Sequence, residues 1–567
     1  MDATYSVLGE VKRDIIGRIA RAISKAKEKG EFPPELNPDI KIETPSRPEL
    51  GDFATGVAMQ IGREIRTDGR SVAGVIVRYV DLDNSPIRQV DIAGPGFLNF
   101  FLDRSWLEPA MARIWAEGPS YGSTGYGKGK KVLIEFVSAN PTGPLNVVNA
   151  RAAAVGDCLA SLMQVSGYEV HREYYINDAG NQVRRLAASL EARLRQVRGE
   201  DAEVPEGGYH GEYLLDIARE LNEARGDEVL AMDPEARLDF LGKYAVERIV
   251  ADQRRVLLEY GLKYDTWFSE RSLREGNAYM QVVELLKVKG LTYEKDGALW
   301  FKSTEFGDDK DRVLLKSDEK GTATYIVPDL AYHKNKLERG YELLIDILGP
   351  DHHGYLDRLR AGLMGLGYSS DVLEILIVQM VRLQRSGQAV KMSKRGGEFI
   401  TMEELLEEVG KDAARFFFLM RSPESHLDFD LDLARLQSNE NPVYYVQYAH
   451  ARIASIFRQA KEGGAALSVG PTEVNFSLLK DPSEVALMKI LAAFPEEVHE
   501  IAEAREPHRL IKYMTDVATA FHSFYTRCRV IGDDKALTEA RLYLARLCQI
   551  VLANALRIAG ISAPEAM

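Results

Sequence analysis

The feature that most constrains the fold is a short apolar run followed by a Pro/Gly turn and a helix rich in small residues. The run occupies residues 131–137 and the helix residues 150–163. A run that is apolar almost throughout is typical of a strand buried on both faces of a parallel sheet. Further strands are predicted at residues 170–176, 323–327, 343–348 and 372–381. Strands alternating with helices predict a doubly wound α/β core, in which ligands bind at the carboxyl ends of the strands.

The rest of the chain predicts two more domains, since 567 residues suffice for three or four domains of roughly 150 residues. Residues 1–110 predict a small α+β domain, with a helix over 5–29 and strands at 40–43, 90–93 and 97–102. The α/β domain is expected over 120–430, interrupted by a mainly helical, acidic insertion at about 178–320. Residues 436–567 read as an all-α bundle.

Charge and cysteine usage narrow the function classes. The chain has 72 basic and 85 acidic side chains, a net charge of −13, so any contact with nucleic acid must use local basic patches. Its three cysteines lie far apart without ligand spacing, which argues against zinc or a disulfide framework and fits a reducing cytoplasm. No apolar run approaches the roughly 18 residues of a membrane span, and the first residues lack the apolar stretch of a signal peptide. We therefore expect a soluble, cytoplasmic protein.

Two segments carry residues suited to phosphate chemistry. At residues 135–151 the strand ends, a Pro/Gly turn follows and a helix begins near Leu145; a helix N-terminus favours phosphate. Taken alone, a plain strand-to-helix turn is the better interpretation. At residues 390–397 two lysines flank a serine, which suits neutralisation of a pyrophosphate, although a solvated basic loop has the same composition. The chain has no GxGxxG and no GxxxxGK[ST] motif, so dinucleotide and P-loop readings find no support.

Together these two segments resemble the paired signatures of class I aminoacyl-tRNA synthetases, and the surrounding sequence resembles the arginyl-tRNA synthetases in particular. The resemblance runs in order from the first domain to the last residue. Its blocks are residues 51–55 (GDFAT), 93–100 (AGPGFLNF), 138–144 (SANPTGP), 175–182 (YINDAGNQ), 267–270 (WFSE), 329–333 (DLAYH), 349–354 (GPDHHG) and 556–567. It implies a Rossmann-type catalytic domain that forms arginyl-adenylate from ATP and then transfers arginine to the 2′-hydroxyl of the terminal adenosine of tRNA(Arg).

The resemblance also implies an arginine pocket. Its members are Glu135, Ser138, Asn140, Tyr325 and Asp329. A guanidinium is a planar fork of five donors, best met by carboxylate, amide and phenol oxygens. We expect Asp329 to be its main partner; the alternative is that Asp329 is only an acid in the first turn of a helix beside Pro328. A class I synthetase for another amino acid is a weaker reading, because Asp329 and Glu135 disfavour an apolar substrate.

The ATP site implied by the resemblance departs from the family at one point. Its members are Pro144, Asn146, Val148, Asn149, His353, Lys391, Met392, Ser393 and Lys394. Of these, Asn146, Asn149, Lys391 and Lys394 are expected to be catalytic. Where the family has His-hydrophobic-Gly-His, this chain has Asn146-Val147-Val148-Asn149. Loss of a charged donor could cost about 2–4 kcal/mol of transition-state stabilisation. The alternative function is therefore a weakened, synthetase-like tRNA-binding protein, and we favour the active enzyme.

The remaining expectations concern partners. Phe97 and Asn99 match the positions at which the family's first domain reads a nucleobase, and Tyr444, Tyr448 and Arg452 are expected to contact the anticodon. The alternative for the first set is that Phe97 belongs to the core and Asn99 to a turn; for the second set it is that about half of these residues pack in the core. We expect ATP to bind as a substrate together with Mg²⁺, and we expect no tightly bound cofactor or zinc. The protein is expected to be a monomer.

Overall fold

The computed structural model describes residues 6–45, 47–319, 321–352, 354–390, 400–464 and 474–567. Its helices are α1 (Val7–Glu28), α2 (Val57–Ile65), α3 (Gly69–Tyr79), α4 (Leu107–Glu117), α5 (Val147–Val165), α6 (Asn181–Val197), α7 (Tyr213–Ala231), α8 (Pro234–Glu259), α9 (Glu270–Glu275), α10 (Ala278–Val288), α11 (Ile326–Glu338), α12 (Leu356–Leu366), α13 (Met402–Val409), α14 (Lys411–Leu419), α15 (Leu431–Arg435), α16 (Pro442–Glu462), α17 (Pro482–Ala492), α18 (Phe494–Ala504), α19 (His508–Arg527) and α20 (Lys535–Ile558). Its strands are β1 (Phe53–Thr55), β2 (Ile87–Ala93), β3 (Phe97–Leu102), β4 (Lys131–Glu135), β5 (Glu169–Ile176), β6 (Thr266–Ser269), β7 (Thr292–Lys295), β8 (Ala298–Phe301), β9 (Arg312–Leu315), β10 (Leu343–Leu348), β11 (Leu373–Ile377), β12 (Val381–Arg385), β13 (Gln388–Ala389) and β14 (Leu427–Asp430).

The centre of the molecule is a five-stranded parallel sheet in the order β11-β10-β4-β5-β6. The strand order reverses between β4 and β10, and ligands of open α/β sheets bind beside such a reversal, outside the carboxyl ends of the strands. The pairing register places Glu135 of β4 opposite both Asp346 of β10 and Glu173 of β5. The α/β expectation is confirmed, and the register adds a row of three carboxylates at the site edge.

The small residues of α5 allow it to lie close against this sheet. Ala150, Ala153, Ala154 and Cys158 are fully buried. At Gly156 a β-carbon would stand 2.3 Å from the ring of Phe136, so only glycine permits the observed approach. The first helix after β4 is therefore fixed against the sheet by its composition, and its N-terminus lies at the carboxyl edge.

Three of the predicted strands differ from the structure. Residues 323–327 form no strand: Ala323 makes a single bridge, and α11 begins at Ile326. The reason is Pro328, which cannot donate to a ladder but fits the first turn of a helix. In place of a strand at 40–43, only Glu43 pairs, with Ala54. The run 372–381 divides into β11 and the start of β12.

The interval 178–320 is less uniform than the helical insertion expected from the sequence. Helices α6, α7 and α8 fill its first half. After them comes β6, which joins the central sheet as an edge strand beside β5. Strands β7, β8 and β9 then form a separate antiparallel sheet. The interval therefore contributes to the central sheet itself, through a strand of only four residues.

The first and last domains meet each other as well as the core. In the first domain β1 and β2 flank β3 in an antiparallel sheet. Glu496 of α18, in the helical C-terminal domain, accepts hydrogen bonds from Ser6 (2.6 Å) and from Tyr126 (2.7 Å). Arg505, which follows α18, pairs with Glu374 of β11 at 2.9 Å. In the described part of the chain no helix has the length and apolar character needed to span a membrane.

Candidate active site

The row of three carboxylates is compensated by cations from α11. Lys336 is fully buried and its Nζ lies 2.6 Å from Glu135 Oε2 and 2.9 Å from Asp346 Oδ1. Burial alone would lower the pKa of Lys336, but the charges of Asp346 and Glu135 outweigh it and raise that pKa to about 12. His333 Nε2 lies 2.7 Å from Asp346 Oδ2, and Lys336 and His333 together hold the pKa of Asp346 well below its usual range against the effect of burial. One side of the site thus rests on buried ion pairs.

The third carboxylate of the row, Glu173, is compensated separately. Arg339, just after α11, donates to it through both terminal nitrogens, at 2.6 and 2.8 Å, in a bidentate pair. Tyr332 donates its hydroxyl to the same carboxylate at 2.8 Å. Because each acid of the row already has a cation, none of the three is left to meet a charged ligand.

Asp329 differs from these acids because no cation pairs with it among the residues that the structure describes. It lies half-buried in the first turn of α11 and accepts a hydrogen bond from the hydroxyl of Tyr355. Burial, with smaller contributions from the charges of Glu135, Glu270 and Asp346, raises the pKa of Asp329 to about 7, although His333 opposes the shift. A bound cation would relieve this cost.

Aromatic rings form the walls beside Asp329. The ring of Tyr332 lies 4.5 Å from that of Tyr175 and 4.8 Å from that of Phe268, measured between centroids. Burial, followed by the charges of Glu270 and Asp329, raises the pKa of Tyr175, so its phenol lies near both acids. Glu270, at the carboxyl end of β6, is buried and pairs with Arg274 at 2.8 Å. A planar cation can stack on aromatic faces and pair with a carboxylate in such a pocket.

The opposite side of the site is the N-terminus of α5, where two asparagines form a reciprocal cap. Asn146 Oδ1 accepts from the backbone N–H groups of Val148 (2.9 Å) and Asn149 (3.1 Å). Asn149 Oδ1 in turn accepts from the backbone N–H of Asn146 at 3.0 Å. This capping box uses both oxygens and leaves both amide nitrogens without a partner within the described ranges.

Comparison with known proteins decides the family. Three family descriptions match in order: "Arginyl tRNA synthetase N terminal domain" at residues 13–102, "tRNA synthetases class I (R), catalytic domain" at 112–214 and 263–421, and "DALR anticodon binding domain" at 446–567. An arginine–tRNA ligase of Symbiobacterium thermophilum is 50% identical over 561 residues, covering 99% of this chain and 100% of that protein. The chain belongs to the arginyl-tRNA synthetase family.

Two further relatives support this assignment. An arginine–tRNA ligase of Moorella thermoacetica is 48% identical over 563 residues, covering 99% of this chain and 100% of that protein. The solved arginyl-tRNA synthetase of Thermus thermophilus superposes with a TM-score of 0.76 over 98% of this chain and 100% of that one. At 23% identity it shows the shared fold alone. The resemblance found in the sequence is thereby confirmed.

The structure brings most of the predicted arginine-pocket residues of this synthetase to one sheet edge. Ser138 Oγ accepts from the backbone N–H of Tyr175 at 3.1 Å, and Asn140 Oδ1 accepts from Asn177 at 3.4 Å. Glu135 is buried and paired with Lys336, so it does not present a free carboxylate. Tyr325, the residue before α11, is 88% exposed. The sequence predicted that it lies in a strand, and that prediction is wrong.

The predicted ATP-site residues of this synthetase are only partly described. His353, Lys391, Met392, Ser393 and Lys394 lie outside the described residues. Thr401 makes an antiparallel bridge with Asn146, and the backbone N–H of Met402 donates to Leu145 at 2.8 Å. Residues that follow the second signature segment therefore contact the start of α5. Pro144 is exposed and Val148 half-buried in the same stretch.

The predicted tRNA contacts of this synthetase fall into two groups. Phe97 is half-buried at the start of β3, whereas Asn99 is 5% exposed in the middle of that strand. Asn99 is thus a strand residue and not a turn residue, and β1 and β2 pair with it on either side within the sheet. On α16 the rings of Tyr444 and Tyr448 stack at 5.9 Å, and the Arg452 guanidinium lies 4.5 Å from the Tyr448 ring.

Several site residues escaped the sequence reasoning. Phe268 lies in β6 and Glu270 directly after it. Neither was assigned to the site, because a strand of four residues is too short to be recognised in the sequence. Lys336 gives no local signal, since its partner Glu135 is 201 positions away. A tyrosine directly before an Ile-Asn-Asp turn could have marked Tyr175 as facing the sheet edge. In the part of the chain that the structure describes, no group of three His, Cys, Asp or Glu side chains could hold a metal ion.

Proposed function

We propose that this chain attaches L-arginine to tRNA(Arg) at the expense of ATP. The observation that carries the proposal is Asp329, a half-buried carboxylate without a cationic partner among the described residues, beside aromatic walls in a member of the arginyl-tRNA synthetase family. A guanidinium supplies the missing charge and a flat surface for stacking. The comparisons give no support to the alternative of a synthetase-like protein that only binds tRNA.

In the proposed arginine complex, Asp329 receives the guanidinium, whereas Glu270 is already paired with Arg274. Ser138 and Asn140 lie on the loop after β4 and are proposed to meet the substrate's polar backbone end, while Tyr325 closes the pocket from the start of α11. Glu135 is proposed to act indirectly: its carboxylate pairs with Lys336 and so helps to fix the position of α11, which carries Asp329. The pocket is therefore expected to reject an uncharged analogue of the same shape, such as citrulline.

ATP is proposed to bind at the N-terminus of α5, as the substrate complex with Mg²⁺. The amide nitrogens of Asn146 and Asn149 would donate to the phosphates, with Lys391 and Lys394 neutralising the charge that develops on pyrophosphate. Pro144, Val148, His353, Met392 and Ser393 complete the proposed site. The arginine carboxylate attacks the α-phosphorus, an acyl-phosphate bond forms and pyrophosphate leaves. This step needs positioning and charge neutralisation and no protein nucleophile.

In the second step the 2′-hydroxyl of the terminal adenosine attacks the activated carbonyl, an ester forms and AMP leaves. We propose that Tyr444, Tyr448 and Arg452 on α16, which are half-buried, contact the anticodon, because aromatic and guanidinium faces can stack on bases. Phe97 is the proposed contact in the first domain. The protein is proposed to act as a monomer in the cytoplasm.

The test is charging of bulk tRNA with labelled arginine in the presence of ATP and Mg²⁺. We expect arginyl-tRNA to form, and we expect unlabelled lysine and citrulline in excess to compete poorly. Citrulline keeps the shape of arginine but lacks the charge, so it isolates the role of Asp329. Absence of product with intact tRNA binding would contradict the proposal and favour the binding-protein alternative. Charging of a different amino acid would contradict the assignment of the pocket.

A further inference from the structure

The loop that follows β4, residues 136–143, is held through its own carbonyl oxygens. Five of them accept hydrogen bonds from side chains outside the loop. Tyr264 donates to the carbonyl of Phe136 (3.1 Å), Tyr174 to Ala139 (3.3 Å), Gln253 to Asn140 (3.4 Å) and Gly143 (3.0 Å), and Tyr213 to Thr142. We call these four side chains, Tyr174, Tyr213, Gln253 and Tyr264, the carbonyl scaffold.

Three members of the carbonyl scaffold come from the segment between β5 and β6. Tyr213 is the first residue of α7, Gln253 lies on α8, and Tyr264 lies in the connection from α8 to β6. Tyr174 lies on β5 itself. The helices that precede β6 therefore contact the loop after β4 directly, although their sequence carries no catalytic motif.

Gln253 is the centre of this arrangement. It is 1% exposed, and each end of its amide is used. The single hydroxyl proton of Tyr174 is shared between the Gln253 oxygen at 2.9 Å and the carbonyl of Ala139 at 3.3 Å, while the Gln253 nitrogen donates to two loop carbonyls. Tyr174 in turn accepts the backbone N–H of Ala139 at 3.1 Å. A buried polar network in which every member is satisfied selects one geometry of the groups that it connects.

The backbone of the loop needs such support. Val137 has φ +69° and Ser138 has φ +37°, two consecutive residues with side chains in the left-handed region. A β-branched residue is a pronounced outlier there. Backbone of this kind persists only where surrounding contacts over-determine it, and such positions cluster at functional sites. The scaffold supplies those contacts without any charged group.

We propose that Gln253, together with Tyr174 and Tyr213, is a positioning residue for the adenylation step. The scaffold sets the path of residues 136–143, and this path places Ser138 and Asn140 beside the arginine pocket and delivers the chain to the cap of α5. None of the scaffold side chains needs to touch substrate. The inference rests on the proposed function, since it names how this site is organised for that reaction.

The experiment compares single hydroxyl deletions in the full-length protein. Tyr213→Phe and Tyr174→Phe each remove one donor to the loop. Tyr260→Phe is the matched control: Tyr260 lies at the end of α8, and its buried hydroxyl has no hydrogen-bond partner within the described ranges. Steady-state charging is measured with arginine, ATP and tRNA varied in turn, and thermal unfolding is measured in parallel.

We expect Tyr213→Phe and Tyr174→Phe to lower kcat about tenfold or more, since a small misplacement of reacting groups can cost up to about a hundredfold. The KM for tRNA should stay unchanged, and Tyr260→Phe should keep kcat within about twofold of the unmodified protein. Gln253→Glu, which keeps the acceptor for Tyr174 but loses the donor to the two carbonyls, should lower kcat further. If Gln253→Glu fails to fold, the two tyrosine variants still decide the matter.

Unchanged kcat in both tyrosine variants, in a preparation whose unmodified protein charges arginine, would overturn the inference and leave the proposed function intact. A fall in kcat that merely follows the fall in unfolding temperature, and that Tyr260→Phe reproduces, would also overturn it. An unmodified protein that makes no arginyl-tRNA would instead contradict the proposed function. The two failures are therefore distinguishable within one set of assays.

Discussion

The two sides of the candidate pocket are held in different ways. On the β4 side, neutral groups hold the loop and the start of α5, through phenols, one buried amide and the Asn146–Asn149 capping box. On the α11 side, buried ion pairs join Lys336 to Asp346 and Glu135, and a hydrogen bond joins His333 to Asp346. The neutral side can set geometry at any pH at which the protein is folded. The charged side sets the electrostatic potential, and its one acid without a cation among the described residues is Asp329.

The largest expected effect comes from breaking the charged side. Lys336→Met leaves Glu135 and Asp346 buried without their shared cation, and loss of one partner of a buried pair costs about 3–5 kcal/mol. Lys334→Met is the matched control on the same helix, because Lys334 pairs with Glu338 at the surface, where a pair is worth about 0–1 kcal/mol. Thermal and urea unfolding should show a large shift only for the Lys336 variant. Equal small shifts would contradict the view that the ion pairs hold α11.

The second prediction concerns Asp329, which in its ionised form we expect to bind substrate and not to stabilise the fold. Asp329→Asn removes the charge that faces the guanidinium, so kcat/KM for arginine should fall by about 100- to 1,000-fold, whereas tRNA affinity should not change. Asp357→Asn is the control, since Asp357 is an exposed acid in the first turn of α12. Similar kinetics for the two variants would mean that Asp329 is only a helix N-terminal acid.

The third prediction follows from the raised pKa of Asp329, about 7 against a usual 3.8. Between these values the folded state binds more protons than the unfolded state, so this group's contribution to stability is lost as pH rises through about 7. The affinity for arginine should change with pH in the opposite direction, because the guanidinium binds the ionised carboxylate of Asp329. The KM for arginine should therefore fall about tenfold between pH 6 and pH 8. Both dependences should disappear in Asp329→Asn. A KM that is flat with pH in the unmodified protein would contradict this.

The elements of the neutral side were the more predictable from sequence. The strand β4 is a continuous apolar run, and such runs are recognisable because both faces are buried. The helix after it was placed correctly by its turn and its small residues. What could not be predicted is the carbonyl scaffold, since hydrogen bonds to backbone carbonyls leave no mark on the sequence of the loop that accepts them. Gln253 reads locally as one polar residue of a surface helix.

The charged side was less predictable, and the reason is register. The row of Asp346, Glu135 and Glu173 exists only because three strands pair with those positions opposite each other. The resemblance implies that Glu135 contacts arginine, and its pairing with Lys336 becomes visible only in the structure. The apolar residues before Pro328 misled as well, because they suggested a strand, whereas the helix that carries Asp329 already begins at Ile326 and has Pro328 in its first turn.

The smallest effect on stability is expected for Asn146→Asp. This substitution separates the two proposed roles of the Asn146 side chain, which are to cap α5 through its oxygen and to donate to phosphate through its nitrogen. Aspartate keeps an oxygen for the N–H groups of Val148 and Asn149, so stability should change by less than about 0.5 kcal/mol. It loses the amide nitrogen and adds a negative charge where phosphate is proposed to bind. The KM for ATP should therefore rise about three- to tenfold while unfolding is unaffected, as measured by charging kinetics and thermal unfolding.

Asp68→Asn is the corresponding control, because Asp68 caps α3 in the first domain by accepting from the backbone N–H of Ser71 at 2.8 Å. It exchanges the same two side chains at a helix start far from the proposed phosphates, so neither stability nor the KM for ATP should change appreciably. If Asn146→Asp leaves the KM for ATP unchanged, the asparagine nitrogens do not meet phosphate. The neutral side would then serve geometry alone, and the cations of the second signature segment would have to neutralise the phosphates without help from α5.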